Sequence, residues 1–208
     1  MLWRLDRPND NRRASRSAGT DVSPGLCLYI SSPAAPDPAA LVEQAGYETE
    51  GGVVVKKLDD FLAKLEENQV WGFRITVNPT YRRTDDDGRK RLLGHVTVAQ
   101  QTQWLLDRAE VNGFQIPMSA EVGGDLPVLE NEVGERVDGR NLLVSLVDRR
   151  VENFFRVNGE DKRPVTLKLA TFQGTLKVTD PRALRSALAN GIGRAKGYGA
   201  GLLTLARP

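Results

Sequence analysis

An α+β fold is predicted for this 208-residue chain from three observations. From Val70 onward, strand-like and helical segments follow one another as strand, helix, strand, strand, helix, strand. Two Asp-Pro helix starts echo each other: Asp37-Pro38-Ala39-Ala40-Leu41, stopping near Gly46, and Asp180-Pro181-Arg182-Ala183-Leu184, stopping at Gly191. Before Val70 a partial version of the same order runs strand, strand, helix, strand. The βαββαβ order is that of a ferredoxin-like (RRM-like) unit. The chain therefore reads as two tandem ferredoxin-like domains, residues 1–67 and 68–208, the first lacking its opening strand and helix. A sheet short of its first strand and covering helix exposes apolar surface and an unpaired edge. The natural chain is accordingly expected to begin upstream of Met1.

Each element has a local cause. Leu2–Leu5 is a strand, and the Arg- and Ser-rich stretch Asp6–Pro24 is a long loop. Leu26–Ile30 is a second strand. Asp37 caps a helix with proline at its first position, where no amide hydrogen bond is lost. Val53–Leu58 is expected as a strand, with Phe61–Leu65 a connector. Val70–Val77 is a strand that Asn78-Pro79 ends. Asp85–Arg91 is a charged turn, and Asp85-Asp86-Asp87 within it is a solvated acidic run. Thr97-Val98-Ala99-Gln100 has capping-box spacing. Val98, Thr102, Leu105 and Ala109 then share a helical face up to Gly113. Val151–Val157 and Val165–Val178 are strands around the polar turn Asn158–Arg163. Asp180-Pro181 opens the last helix, and Leu202–Ala206 closes the fold.

Composition excludes several classes. No apolar run approaches the roughly 20 residues of a membrane span, and the N-terminus lacks the layout of a signal peptide. Cys27 is the only cysteine, so a disulfide framework and a thiolate metal cluster are excluded. No Asp/Glu/His set has ligand spacing, and no metal or other cofactor is expected; the default location is the cytoplasm. The net charge of +2 is unevenly spread. From Gly139 to the end there are thirteen Lys/Arg against five Asp/Glu, a balance of +8, leaving −6 for the preceding residues. A basic C-terminal half suits a polyanionic partner.

The segment from Gly191 to Gly201 holds five glycines in eleven residues, more than one turn needs. Glycines let backbone amides approach phosphates without Cβ interference. The spacing is not that of a P-loop, because Lys196 is followed by Gly197 rather than by Ser or Thr. A dinucleotide-binding turn follows a strand and opens a helix, whereas this one follows a helix and opens a strand. Arg194, Lys196 and Tyr198 are interleaved with the glycines, which places cations and a stacking ring in one loop.

Four segments carry a resemblance to a known family: Gly191–Leu203, Phe172–Pro181, Phe73–Pro79 and His95–Trp104. Together they resemble CasE, the CRISPR repeat-RNA endoribonucleases of type I-E Cascade systems. The resemblance implies two ferredoxin-like domains and a basic face of the C-terminal half that binds the repeat stem-loop. It implies metal-free cleavage at the base of the stem, in which the upstream 2′-hydroxyl attacks the scissile phosphate and leaves a cyclic phosphate end. It also implies that the mature guide RNA stays bound, with the other Cascade subunits as partners. The family's catalytic histidine, with a nearby tyrosine, lies on the first strand and helix of the N-terminal domain. The resemblance joins this chain at the second strand, Leu2–Leu5, so no catalytic residue is assigned here. A catalytically inactive crRNA-binding subunit, or a fragment of such a protein, is the alternative.

The candidate RNA-binding residues are Gly191, Gly193, Arg194, Lys196, Gly197, Tyr198 and Gly199 of the tail, with Arg149, Arg150, Arg156, Lys162 and Arg163 around the strand pair. His95, the only histidine, is read as a residue preceding a helix cap rather than as a base. Trp3, Trp71 and Trp104 are read as core.

Overall fold

The computed structural model describes residues 1–7, 26–45, 52–118, 136–137, 140–159 and 161–207. Most of the Asp6–Pro24 loop and the expected helix stop at Gly46 lie outside the described residues.

The main sheet is antiparallel and is built on two long strands, β9 (Val144–Asn158) and β10 (Asp161–Val178). β3 (Val70–Val77) pairs with the other edge of β10, from Ala170↔Val77 to Lys177↔Val70. β11 (Leu203–Ala206) closes the sheet beside β3, and the two-residue β6 (Phe114–Gln115) joins the far end of β10. The order is thus β11, β3, β10, with β6 and β9 both paired to β10. Two short hairpins stand apart from it, β4 (Thr80–Thr84) with β5 (Lys90–Gly94) and β7 (Arg136–Val137) with β8 (Arg140–Asn141). β1 (Leu2–Asp6) and β2 (Cys27–Ser31) form a further two-stranded sheet.

Alternation along these strands makes two unlike faces. One face presents Phe73, Ile75 and Val77 of β3, with Ala170, Phe172, Leu176 and Val178 of β10, all in the main core. Against it lie Trp104, Leu105 and Ala109 of helix α3 (Val98–Val111) and Leu184, Ala187 and Leu188 of helix α4 (Pro181–Asn190). Both helices start as their sequences dictate. Thr97 Oγ1 accepts from the Gln100 amide at 3.2 Å, and the Gln100 side chain accepts from the Thr97 amide at 3.4 Å. Asp180 Oδ1 accepts from the amides of Arg182 and Ala183 at 2.8 and 3.2 Å. Helix α1 (Pro38–Ala45) starts in the same way, with the Ala39 amide 2.9 Å from Asp37 Oδ1.

The opposite face is polar. Thr76 and Thr171 share a hydrogen bond at 2.9 Å, and Arg74 Nη1 donates to Gln173 Oε1 at 2.9 Å. β1 is tied to this side. Arg4, 2% exposed, donates from Nη1 to the carbonyls of Arg74 and Leu202 and to Thr204 Oγ1. Its Nε and Nη2 grip the Asp6 carboxylate at 2.7 and 3.1 Å.

One irregularity decides what this face carries. Thr171 pairs with Asp148 but Phe172 pairs with Leu146, so Val147 is an extra residue on β9. A one-residue bulge reverses the alternation beyond it. Leu146 points into the main core. Past the bulge, Arg150, Glu152, Phe154 and Arg156 fall on the polar face, while Arg149, Val151, Phe155 and Val157 fall on the helix side.

Three expected elements differ. The strand pair is longer than expected and its turn shorter than Asn158–Arg163, because β9 starts at Val144 and β10 at Asp161, which puts Arg149, Arg150, Lys162 and Arg163 on strands. Val53–Leu58 is not a strand, because Val53, Val54 and Val55 are 53–74% exposed and pair with nothing described; β-branched residues form strands only where a partner and a packed face exist. The connector Phe61–Leu65 overlaps a short helix, α2 (Asp59–Ala63). It docks on α4 through Arg185, whose Nε and Nη2 donate to the Leu62 and Leu65 carbonyls, each at 2.6 Å. The charged turn over Asp85–Arg91 is a turn as expected, at the tip of the β4–β5 hairpin, held by Asp85 accepting from the Arg89 amide at 2.7 Å.

Candidate nucleic-acid interface

The glycine-rich segment is a loop stitched at its two ends. α4 stops at Gly191 (φ 74°). The Ile192 amide then donates to the Gly201 carbonyl at 2.9 Å, and the Gly201 amide donates to the Thr76 carbonyl of β3 at 2.7 Å. Between these ties the chain makes a 3₁₀ turn over Lys196–Tyr198, entered through Ala195 at φ 64°. The underside of the loop rests on the polar face of the sheet. Ala200 is buried with Leu167 and Leu169, and Phe154, Val165 and Ala195 pack around them. Tyr198 lies against Phe154 with ring centroids 4.9 Å apart. The loop and the β9–β10 hairpin therefore form one surface.

The candidate cations divide between the two sides of that hairpin. Arg150, Arg156 and Arg163 lie on the loop side. Arg156 and Arg163 are directly opposed across β9 and β10, an arrangement that repels unless an anion sits between them. Arg163 has Asp161 at 2.7 Å, with both side chains more than half exposed, where a pair contributes little. Arg156, Arg194 and Lys196 have no ion-pair partner among the described residues. Arg150 is tied to Asp148 at 2.6 Å. Arg149 and Lys162 go to the other side. Arg149 Nη2 donates to the Val96 carbonyl beside the α3 cap, and the Lys162 ammonium sits 4.4 Å from the Phe155 ring centroid. Strand alternation with the Val147 bulge separates these two from the loop. Among the described residues, no group of three or more His, Cys, Asp or Glu is placed to hold a metal ion. Nor is any described helix long and apolar enough to cross a membrane.

Trp3, which its sequence context assigns to the core, lies against the glycine-rich loop instead. It is half-buried, and its Nε1 donates to the Gly197 carbonyl at 3.3 Å. Its ring lies so close to Gly199 that a Cβ there would be 2.7 Å from Cζ3. The backbone at Gly199 has φ 78°, so glycine is required twice over. Trp104 is in the core and Trp71 packs against it, as expected. The signal for Trp3 was its position on an alternating five-residue strand, where every second residue faces away from the core.

His95 stands apart, at the N-terminal end of α3. Its ring packs on Tyr81 at 4.8 Å and its Nδ1 is buried without a hydrogen-bond partner. Burial lowers its pKa below the ordinary 6.5, against an opposing pull from Asp107. The unfolded chain thus binds this proton more readily than the folded one. Stability from this group is complete above pH 6.5 and declines as pH falls through the folded value. Urea midpoints measured from pH 7.5 down to 5 should fall, and His95→Gln should flatten that fall.

The sequence profile of the family described as CRISPR associated protein matches residues 1–207. The CRISPR-associated endoribonuclease Cse3 of Thermus thermophilus is 28% identical over 149 residues, covering 70% of this chain and 60% of that protein. The chain thus matches less than two thirds of its curated relative's length. Among solved structures, Cse3 bound to a 19-nucleotide RNA aligns with TM-score 0.60 at 22% identity, over 99% of this chain and 79% of that one. Cas6e from Escherichia coli aligns with TM-score 0.57 at 21% identity, over 100% and 84%. A chain of a CRISPR RNA-guided surveillance complex, pre-nicking, aligns with TM-score 0.58 at 26% identity, over 100% and 76%.

Proposed function

Because the chain belongs to the family of CRISPR associated proteins, of the CasE kind, we propose that it binds the stem-loop of CRISPR repeat RNA on the surface shared by the glycine loop and the β9–β10 hairpin. In this reading it is a repeat-RNA processing endoribonuclease that acts with the other subunits of a Cascade surveillance complex. The observation that carries the binding is the opposed pair Arg156 and Arg163, on the same side as Arg194 and Lys196. Arg156 and Arg163 face the side of the sheet on which the loop carrying Arg194 and Lys196 packs through Ala195 and Ala200, and three of these four cations have no acidic partner among the described residues. An RNA backbone supplies the missing counter-charge. The sheet order β11, β3, β10, β9 with α3 and α4 on one face supports a ferredoxin-like C-terminal domain, with the N-terminal strands as a second unit.

A specific observation favours the binding-only alternative. His95 is the only histidine, and it sits beside the α3 cap on the helix-bearing side of the sheet rather than on the loop side. We assign no described residue the role of general base.

A labelled repeat hairpin tests both parts. In gel-shift titrations at several salt concentrations, each of Arg156→Ala, Arg163→Ala, Arg194→Ala and Lys196→Ala should weaken binding. A variant that no longer neutralises one phosphate should also show a log–log salt slope shallower by roughly 0.7–0.9. Binding that ignores salt, or slopes unchanged in all four variants, would overturn the RNA surface. Metal-free cleavage of the hairpin by the 208-residue protein supports the endoribonuclease reading, and binding without cleavage supports the alternative.

A further inference from the structure

Beside the glycine loop, between β1 and the β9–β10 hairpin, an open cleft of about 240 Å³ is lined by Trp3, Phe154 and Tyr198, with Leu167 and Leu169 at its apolar base. The cleft is smaller than the roughly 300–1,000 Å³ of pockets that take drug-sized ligands. Its chemistry is that of a slot for one planar ring. Trp3 and Tyr198 are pre-set: Trp3 is pinned by its bond to the Gly197 carbonyl and by contact with Gly199, and Tyr198 by Phe154. Tyr198 remains 40% exposed, so a ring can reach it.

The polar rim adds orientation. Arg150, Glu152 and Arg7 line the cleft, and Arg7 Nη2 stands 4.0 Å from Glu152 Oε1. Asp148 holds one end of the Arg150 guanidinium at 2.6 Å. Arg150 Nε lies 3.2 Å from Glu152 Oε1, yet this buried Nε makes no hydrogen bond of acceptable geometry. The Glu152 side chain is 45% exposed. The cleft therefore offers a carboxylate acceptor flanked by the guanidiniums of Arg150 and Arg7, above aromatic walls.

We propose that this cleft takes one unpaired nucleobase of the bound RNA, and that the base is guanine. Single-stranded bases are recognised by stacking on aromatic rings and by hydrogen bonds to their Watson–Crick edges. Guanine alone presents two adjacent donors, N1–H and the N2 amino group, beside an acceptor, O6. The donors suit the two oxygens of Glu152, and O6 suits Arg150. Adenine reverses this order at the carboxylate, where its N1 would meet oxygen.

The proposal rests on the RNA-binding reading above, and the test separates the two. The probes are repeat hairpins with a four-nucleotide unpaired tail, all uridine except for one position carrying guanine, inosine, adenine or uridine, together with the hairpin without a tail. The position is moved along the tail on both the 5′ and 3′ sides. At one position guanine should bind about tenfold tighter than adenine or uridine, as a matched bidentate contact provides. Inosine, which lacks the N2 amino group, should lose part of that gain. In Glu152→Gln the guanine-to-adenine ratio should fall toward one, because a carboxamide can pair with a donor and an acceptor on the edge of either base. This ratio is read within one variant, so a general loss of folding or affinity cancels. Trp3→Leu should reduce the benefit of any base. If the hairpin without a tail binds and no tail base changes its affinity, the cleft proposal is overturned while the RNA surface stands. If no RNA binds at all, the RNA-binding reading fails first.

Discussion

Arg4→Met should lower the unfolding free energy by about 3–5 kcal/mol, the range expected when one partner of a buried ion pair is removed. The loss is read in urea unfolding as a lower midpoint at an unchanged m-value. Arg4 and Asp6 are both almost fully buried. Removing the guanidinium strands the Asp6 carboxylate, whose other cation, Arg74, is at 3.4 Å. It also removes a donor from the carbonyls of Arg74 and Leu202 and from Thr204 Oγ1, of which the Arg74 carbonyl keeps the Thr204 hydroxyl at 3.2 Å. Those acceptors belong to β3, β11 and the residue before β11, so the substitution releases β1 from the sheet as well as weakening the fold. The double variant Arg4→Met/Asp6→Leu should lose less than the two single losses combined, because the second change removes the stranded charge. Strict additivity would show that the pair is not coupled. RNA affinity should fall with Arg4→Met too, since Trp3 is held to the loop by the same strand.

Local sequence signals were sufficient where the cause of an element is itself local. The Thr97–Gln100 box and the Asp180-Pro181 start act within one helical turn, and both begin helices where they were expected. Val70–Val77 is bounded by its own Asn-Pro stop. Sequence signals failed where the cause lies elsewhere in the chain. Val53-Val54-Val55 has strand propensity but no described partner. The β4–β5 hairpin is built from polar sequences, Thr-Tyr-Arg-Arg-Thr and Lys-Arg-Leu-Leu-Gly, whose pairing no apolar alternation announces. The bulge at Val147 is the most consequential omission. Nothing in the run from Val144 to Asn158 marks it, yet it sends Arg149 one way and Arg150 the other. The sequence therefore placed Arg156 on a strand and the other cations beside it or in the turn, and did not show which of them share a side with the loop. Arg4 escaped notice for a related reason. A lone arginine on a short strand reads as surface until Asp6 and three carbonyl or hydroxyl acceptors converge on it.

The glycines of the loop divide into those the fold needs and one that it does not, and substitution should separate the two. Gly201→Ala should cost about 2–5 kcal/mol, the sum of a left-handed backbone penalty of roughly 1–2 and an overpacking cost of roughly 1–3. The backbone there has φ 89°, and a Cβ would lie 2.7 Å from the Ile192 carbonyl oxygen, a backbone atom that cannot swing aside. That same region closes the loop, through the Ile192–Gly201 hydrogen bond. The strain therefore opens the loop, and RNA affinity should fall together with stability. Gly197 is the contrast. It has no positive φ, and a Cβ there meets nothing within 4 Å. An alanine at this position should leave stability within about 0.5 kcal/mol of the parent. No contact within the chain explains a bare backbone at Gly197, which lies between Lys196 and Tyr198 in the loop. If RNA phosphate approaches the backbone there, Gly197→Ala should weaken hairpin binding roughly tenfold, the equivalent of one charge-assisted hydrogen bond, with no change in the unfolding midpoint. Unchanged affinity in Gly197→Ala would place the phosphate contacts on Arg194 and Lys196 alone, and the loop would then act through its charges rather than its backbone.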